Sequence, residues 1–323
     1  EAITLKKQIL ADAMRIMGPD SSGTSAVRLS LAASYRDAGR LDEAITLYQQ
    51  NLEDRARILG SDHPHTLTAR NQLAGAYRDA GRLDEAILLF EQNLTNFTGL
   101  AGPDHPHTLS SRGTLAGAYR DAGRLDEAIT LYQQNLDDVA RTLGLDHPET
   151  LALRHSLAGA YRDAGRLEEA IPLFEQNLTD FIRILGPDRP DTFTSRSTLA
   201  GAYRDAGRLD EAITLFAQTL EDRTRTLGPA HPGTLTSRNN LAGAYQAAGR
   251  LNEAITLHRQ TLKDCSRTLG PHHPHTLTSR TNLAEAYRTA GRFEDAEKLF
   301  ETPSGSEDEQ DGTEDNPDQE TSD

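Results

Sequence analysis

The stretch AYRDAGRLDEAI, residues 76–87, decides the fold because the chain repeats it at a fixed interval. One copy carries Glu for Asp, and the outermost copies are looser. The copies begin at Ser34, Ala76, Ala118, Ala160, Ala202, Ala244 and Ala286. Each copy starts 42 residues after the one before it, a period typical of stacked repeat architectures. An enzyme needs one catalytic constellation, so seven copies indicate a scaffold.

The same period divides the chain into three parts. Residues 1–5, EAITL, match residues 43–47, so the sequence opens in the middle of a repeat. We expect residues 1–20 to form the second helix of a partial repeat, and residues 21–300 to form seven 42-residue repeats. Residues 301–323 are expected to be a disordered acidic tail. The chain is therefore predicted to be a fragment of a longer protein.

The repeat covering residues 63–102 predicts two amphipathic helices. Pro64 suits the first helical position, and Gly81 suits the left-handed conformation that ends a helix. Gly102 and Pro103 end the second helix. The two apolar stripes comprise Leu67, Leu73, Ala74, Tyr77 and Ala80, and Leu83, Ala86, Ile87, Phe90 and Leu94. Neither helix can bury its stripe alone, so the pattern predicts an all-α fold of stacked hairpins.

Charge and composition exclude several classes of function. The net charge of −15 arises mainly in residues 301–323, which hold ten acidic and no basic residues. The remainder carries 39 acidic and 34 basic residues, and this near balance does not favour nucleic acid as a partner. No apolar run approaches the ~20 residues that span a membrane. A single cysteine, Cys265, suits a reducing compartment, so we expect a cytoplasmic protein.

The pattern Leu73-Ala74-x2-Tyr77-x8-Ala86-x3-Phe90 resembles the tetratricopeptide repeat. The period exceeds the usual ~34 residues, and the extension, as in LGSDHPHT, resembles the kinesin-light-chain type. This resemblance implies a right-handed superhelical α-solenoid of helix-turn-helix repeats. Near-identical copies also resemble those of bacterial, especially actinobacterial, proteins. In such proteins the repeats often follow a STAND-type nucleotide-binding ATPase domain.

The resemblance also implies a concave groove, lined by the first helices, that holds a partner peptide. At one groove position the repeats differ, in the order Leu29, Asn71, Gly113, His155, Ser197, Asn239 and Thr281. A row of arginines follows on the same helices, with an aspartate beside most of them. The candidate partner-binding residues are Asn71, Arg78, Arg120, His155, Arg162, Arg204, Asn239 and Thr281.

Each of these features has an alternative interpretation. The variable position could be surface drifting between duplicated copies, and the arginines could neutralise aspartates of neighbouring repeats rather than bind an acidic peptide. Glycines in the middle of the first helices cost about 1 kcal/mol each. They would serve either close helix packing or clearance for a ligand backbone. These glycines are Gly75, Gly117, Gly159, Gly201 and Gly243.

The histidines and the cysteine do not predict a catalytic or metal site. Pairs such as His63 and His65 lie at a repeating turn, and Arg189 replaces the first histidine in one copy. We interpret these histidines as helix-start residues and expect no metal and no cofactor. Cys265 is expected to be a half-buried free thiol without a neighbouring base.

The sequence therefore predicts a protein-protein interaction scaffold that binds a protein or peptide in its groove and is not an enzyme. The alternative is a sensor or autoregulatory domain of a larger signalling ATPase. The acidic tail is a further candidate partner, folding back as a weak pseudo-ligand. Nucleic acid and membrane are not expected as partners.

Overall fold

The computed structural model describes residues 2–300, and every regular element in this range is an α-helix. The described residues form two compact units, with the boundary between Leu215 and Phe216. The first helices of the repeats are α2 (Ser22–Asp37), α4 (Pro64–Asp79), α6 (Pro106–Asp121), α8 (Pro148–Asp163), α10 (Pro190–Asp205), α12 (Pro232–Ala247) and α14 (Pro274–Thr289). The other helices are α1 (Ala2–Met17), α3 (Leu41–Leu59), α5 (Leu83–Ala101), α7 (Leu125–Leu143), α9 (Leu167–Leu185), α11 (Leu209–Leu227), α13 (Leu251–Leu269) and α15 (Phe293–Lys298).

Each helix packs mainly against its neighbours in the chain, from α1 to α10 in the first unit and from α12 to α15 in the second. The helices thus alternate as hairpins, which confirms the all-α repeat fold. Alanines of the second helices, such as Ala44, Ala86 and Ala128, are completely buried where two helices approach closely. Truncating a buried leucine such as Leu73, which is 4% exposed, should cost roughly 2–5 kcal/mol.

The four-residue segment before α4, residues 60–63, carries a capping pattern that recurs along the chain. His63 is the N-cap of α4, and its Nδ1 accepts a hydrogen bond from the backbone N–H of His65 at 3.2 Å. The buried Thr66 donates its hydroxyl to the carbonyl of Gly60 at 2.7 Å. These bonds satisfy one free N–H of the helix and fix the loop that leads into it.

The histidine cap recurs at His105, His147, His231 and His273. The histidines are therefore helix-start residues, as the sequence predicts. At α10 the capping position holds Arg189, which makes no side-chain capping bond. That helix relies on Pro190 at its first position and on its packing.

The turn between the two helices of a repeat depends on a left-handed glycine. Gly81 has φ 71°, and its N–H bonds the carbonyl of Arg78 at 3.0 Å. The N–H of Arg82 reaches back to the carbonyl of Tyr77 at 2.9 Å. Residues with a Cβ rarely adopt this φ, so glycine is needed at this point of every repeat.

The tyrosine of each first helix connects its repeat to the preceding one. Gln49 of α3 donates to the hydroxyl of Tyr77 at 2.7 Å, and the hydroxyl of Tyr119 donates to Glu91 of α5 at 2.5 Å. Burial and the Glu91 carboxylate raise the pKa of Tyr119 to about 12, so this hydroxyl stays protonated. The ring of Tyr77 also lies 4.5 Å from the guanidinium carbon of Arg82.

In the second unit, His258 of α13 stands at a position that is aromatic in the second helices of earlier repeats. The corresponding positions hold aromatic residues in the repeats before it, namely Tyr48, Phe90, Tyr132, Phe174 and Phe216. His258 is 3% exposed, and neither ring nitrogen has a hydrogen-bond partner among the described residues. Burial lowers the pKa of His258, while Glu285 of α14 acts weakly in the opposite direction. The neutral imidazole therefore belongs to the folded state.

We predict that acidification weakens the packing of α13 against its neighbours. The folded pKa of His258 lies below its unfolded value, so its stabilising contribution is present above that value and is lost as pH falls through the folded pKa. On α12, Gln246 and Ala247 are uncharged, which leaves Glu285 as the charged side chain that acts on His258. Urea unfolding and hydrogen exchange of α13 and α14 at pH 7.5 and pH 5 measure the effect.

The matched control is His258→Phe, which restores the residue of earlier repeats. This variant should lose the part of the pH dependence that His258 contributes. An identical pH dependence in the variant and the wild-type chain would contradict the prediction.

Candidate partner-binding face

The exposed surface of the first helices carries the residues that the sequence singles out. We call it the first-helix face and define it by the residues equivalent to Asn71, Gly75, Arg78 and Asp79 of α4. The face is described separately for each unit: on α2, α4, α6, α8 and α10 in the first, and on α12 and α14 in the second. These positions are spaced i, i+4, i+7 and i+8, so they lie on one side of their helix.

The arginines of this face pair with aspartates of the following repeat. Arg36 bonds Asp79 at 2.5 Å, and the pattern continues along the first unit. The other pairs are Arg78 with Asp121 at 3.7 Å, Arg120 with Asp163 at 2.5 Å, and Arg162 with Asp205 at 2.6 Å. Arg78, Arg120 and Arg162 therefore each have a carboxylate of the following repeat as an ion-pair partner, as the neutralising interpretation expects. Their side chains remain 32–39% exposed.

Arg204 ends this series with a different partner. One period after Asp205 the chain has Ala247, which offers no carboxylate. Arg204 instead pairs with its own neighbour Asp205 at 3.2 Å, and its side chain is 37% exposed. Asp205 thus pairs with both Arg162 and Arg204. One carboxylate is therefore shared by two guanidinium groups at this end of the series.

The variable position lies on the same face and is half-buried in most repeats. Asn71 accepts a hydrogen bond from Asn93 of α5 at 2.6 Å. His155 packs its ring edge-on against Phe174 of α9, with centroids 5.4 Å apart. Burial and, secondarily, the nearby Arg120 lower the pKa of His155, so the imidazole is neutral near pH 7.

Two members of this row carry buried polar atoms with no hydrogen-bond partner among the described residues. They are Ser197 Oγ on α10 and Asn239 Oδ1 on α12. Thr281 on α14 is exposed and donates to the carbonyl of Leu277 at 3.2 Å. A buried polar atom left unpaired costs about 1–3 kcal/mol, so each of these two atoms is a local cost to stability.

The five mid-helix glycines do not share one explanation. A Cβ on Gly159 would lie 3.0 Å from an amino group of Arg120, whose guanidinium covers this turn of α8. A Cβ on Gly201 would lie 3.6 Å from Arg162. At Gly75 and Gly243, by contrast, nothing lies within 4 Å of such an atom. Close packing therefore accounts for Gly159 and leaves Gly75 and Gly243 without a packing reason.

We predict unequal gains in stability when alanine replaces two of these glycines. Gly75→Ala should stabilise the chain by about 1 kcal/mol, because alanine favours a helix and the space is open. Gly159→Ala should gain less, because its methyl group displaces Arg120 from the pair with Asp163. Urea unfolding of both variants provides the measurement, and equal gains would show that the Arg120 contact does not constrain position 159.

The sequence did not reveal a second set of polar residues that the fold buries. Arg154 of α8 is 3% exposed and pairs with Asp180 of α9 at 2.6 Å. Asn177, wholly buried on α9, donates to the carbonyl of Leu151 at 3.0 Å. Equivalent arginine–aspartate pairs occur at Arg28, Arg112 and Arg238. Their recurrence in most copies was the only signal, and it does not distinguish a buried pair from an exposed one; in the copy with Asn96, Arg70 bonds asparagines instead.

The remaining candidates behave as structural residues. Cys265 is 1% exposed, so the expectation of a half-buried thiol is wrong; its Sγ contacts the hydroxyl of Ser279 at 3.6 Å. Within residues 2–300 no cluster of three or more His, Cys, Asp or Glu side chains could hold a metal ion. Over the same range no helix is both long and apolar enough to cross a bilayer. The acidic tail lies outside the described residues.

The fold and this face define a class, the helical-hairpin repeat proteins in which each hairpin packs on the next. Comparison with protein families then gives the particular family. The tetratricopeptide repeat model matches six overlapping segments, residues 24–98, 73–137, 108–179, 149–221, 191–264 and 237–302. The chain belongs to the tetratricopeptide repeat family. No curated protein sequence matches it.

Solved structures place the repeats in the kinesin-light-chain-like group. Nearly identical TPR-like repeats of a kinesin-light-chain candidate from Podosopora anserina are 35% identical, with a TM-score of 0.59. That match covers 64% of this chain and 98% of the other. Two more distant structures share the fold alone, each at 12% identity.

The first of these is a STAND protein with a tetratricopeptide repeat sensor from Pyrococcus horikoshii, at a TM-score of 0.61. It matches 92% of this chain over 42% of its own length. The second is a Rap protein in complex with competence and sporulation factor, at a TM-score of 0.52. It matches 90% of this chain over 81% of its own length.

Proposed function

We propose that the chain is a protein-interaction scaffold whose first-helix face binds an extended segment of a partner protein. The main supporting observation is that the variable position of this face holds half-buried polar side chains in the first unit, among them Asn71, His155 and Ser197. Protein binding is the general role of tetratricopeptide repeats. These positions support a site on the face because partner main-chain N–H and C=O groups could bond to such side chains.

Within each unit, the bound segment of the partner would run over the variable position and over the glycine that has open space above it, Gly75 in the first unit and Gly243 in the second. Asn71 and His155 in the first unit, and separately Asn239 and Thr281 in the second, are proposed to contact a partner and to make each repeat recognise a different group. Gly75 and Gly243 leave space above the helix in which a main chain could approach closely. Close approach of a partner main chain would explain why glycine stands at these two positions, which helix packing does not explain.

The arginine row is proposed to select the charge of the partner. Arg78, Arg120 and Arg162 would attract a carboxylate only in competition with Asp121, Asp163 and Asp205. Arg204 is the strongest candidate for an acidic group, because it shares Asp205 with Arg162. Such a partner needs one well-placed acidic residue rather than an acidic stretch. The acidic tail, predicted as a pseudo-ligand, would have to compete at the same arginine.

We predict that a variant of the row loses partner peptides selected on the wild-type chain. Peptides chosen from a random display library on the full chain would be tested against His155→Leu/Ser197→Ala. This pair keeps an apolar contact for Phe174 but removes two hydrogen-bonding groups. Each lost bond is worth about 1 kcal/mol, so affinity should fall about tenfold or more.

Gln134→Ala is the matched control, since Gln134 is an exposed residue of α7 outside this face. Arg204→Gln forms a second arm, which should weaken acidic peptides and leave neutral ones unchanged. If the row variant and the Gln134 control bind all selected peptides equally, the first-helix face is not the binding surface.

The alternative function, a sensor domain within a larger signalling ATPase, stays a prediction. The likeness to the Pyrococcus horikoshii STAND protein supports its repeat fold as a precedent. Recovery of the complete reading frame, and a search in it for a phosphate-binding loop, is the test of that alternative.

A further inference from the structure

The last repeat leaves part of its first helix uncovered. Its second helix, α15, has six residues, whereas each of the second helices α3, α5, α7, α9, α11 and α13 has 19. Leu277 of α14 is 45% exposed, although the equivalent residue is at most 5% exposed in the five repeats before it. In earlier repeats the later part of the second helix packs at this point, as where Asn93 of α5 donates to the carbonyl of Leu67 at 2.9 Å. We call the region formed by His272, Leu277 and Arg280 the α14 end surface. The buried equivalents of Leu277 are Leu67, Leu109, Leu151, Phe193 and Leu235.

In the repeat of α8 and α9, the equivalent surface carries a network of four charged side chains. Arg154 of α8 bonds Asp180 of α9 at 2.6 Å, and Asp180 also bonds Arg183 at 3.0 Å. Arg183 in turn pairs with Asp146 in the loop before α8. The loop and the first helix thus contribute one acidic and one basic group, and the second helix contributes the same. The network recurs with Asp20, Arg28, Asp54 and Arg57, and with Asp104, Arg112, Asp138 and Arg141.

In the last repeat the same four positions carry a different set of charges. They are His272 in the loop, Arg280 of α14, and Ser306 and Glu309 in the acidic tail. The loop has lost its carboxylate and residue 309 has changed from basic to acidic, so the donor and the acceptor of that pair have exchanged places. No other repeat reverses the pair in this way. Arg280 is half-buried, and it has no ion pair with any of the described residues.

We propose that residues 306–311 dock on the α14 end surface and complete the charged network of the last repeat. The imidazole of His272 would donate to Glu309, and one of the two carboxylates that directly follow residue 306 would pair with Arg280. Charge selects this occupant, because residues 306–311 hold four carboxylates and no basic group. Position selects it too, because only five residues separate Phe300 from this segment, and so short a connection raises its effective concentration at α14.

The test is hydrogen exchange of α14 in the full chain at low ionic strength, where partly exposed ion pairs contribute most. The variant Glu307→Gln/Asp308→Asn/Glu309→Gln should raise exchange in α14 about threefold, the effect of two modest ion pairs that protect the helix against local opening. The matched control removes two glutamates and one aspartate from the rest of the tail, and it should leave the exchange unchanged. Equal exchange of α14 in the two variants would overturn the assignment. The control is Glu314→Gln/Asp315→Asn/Glu320→Gln.

A charge exchange separates a specific contact from general attraction to the tail. Glu309→Arg should raise the exchange of α14 about twofold, because a guanidinium group cannot accept a hydrogen bond from His272. Adding His272→Asp should restore the wild-type rate, because the double variant carries the aspartate–arginine pair of earlier repeats, as between Asp104 and Arg141 at 2.7 Å. His272 is exposed, so this change should not disturb the packing of α14. If His272→Asp does not reverse the effect, residue 309 does not meet this position and the assignment fails.

Arg204→Gln distinguishes this docking from binding of the tail, or of a partner peptide, at the first-helix face. His272 and Arg280 lie outside that face, so this variant should leave the exchange of α14 unchanged even where it weakens acidic peptides. Failure of the peptide-binding proposal therefore leaves this one standing. If Arg204→Gln raises the exchange of α14 as much as the triple variant does, the tail binds at the first-helix face and the assignment is overturned.

Discussion

The structure depends on one constraint: an isolated helical hairpin of this chain cannot bury its own apolar stripes. Tyrosines of the first helices meet this constraint by packing in the repeat interface, and Tyr77, Tyr119, Tyr161, Tyr203 and Tyr287 also bond a side chain of the preceding second helix. The contact joins residues 28 positions apart, as between Gln133 and Tyr161 at 2.6 Å. An insertion of one residue in that interval would move the hydroxyl to another side of its helix. The unvarying 42-residue period follows from this requirement.

The same constraint divides the residues of a repeat into two groups. Those that connect helices are nearly invariant from copy to copy, including the buried pair of Arg154 with Asp180 and the Asn177 amide. The variable position of the first-helix face contacts the second helix of its own repeat, as Asn71 and His155 do. It does not bond the neighbouring repeat in these two cases, so we expect substitutions there to leave the packing between repeats intact. Duplication of one hairpin can thus produce a surface that changes from repeat to repeat on a constant framework. This separation is what makes a repeat array suitable for recognising different groups along an extended partner.

Much of the fold could be predicted from the sequence because its signals are local. Pro64 and Gly81 bound the first helix by their own backbone preferences, and the apolar stripe with Tyr77 is visible in a single repeat. The partner of Arg78 could not be predicted, because Asp79 on the same helix and Asp121 on the next were equally available by pattern. The packing of neighbouring repeats brings Arg78 to Asp121.

Burial of polar residues was also beyond the sequence. Asn177 lies in a run, EQNL, that reads as solvent-facing, and its burial depends on the carbonyl of Leu151 on another helix. The exposure of Leu277 on α14 likewise depends on where the last second helix ends. His258 was missed because a single histidine among aromatic equivalents looks like ordinary variation. These features belong to interfaces between helices, for which one repeat read alone contains no signal.

The most direct measurement is native-state hydrogen exchange on Tyr161→Phe and Tyr161→Ala. The first variant removes only the bond from Gln133, and we expect a loss of about 1 kcal/mol with protection otherwise retained. The second empties the interface and should cost roughly 3–5 kcal/mol, with protection lost together in α7, α8 and α9. Loss confined to α8, with its neighbours unaffected, would contradict the claim that contact between adjoining repeats holds the array together.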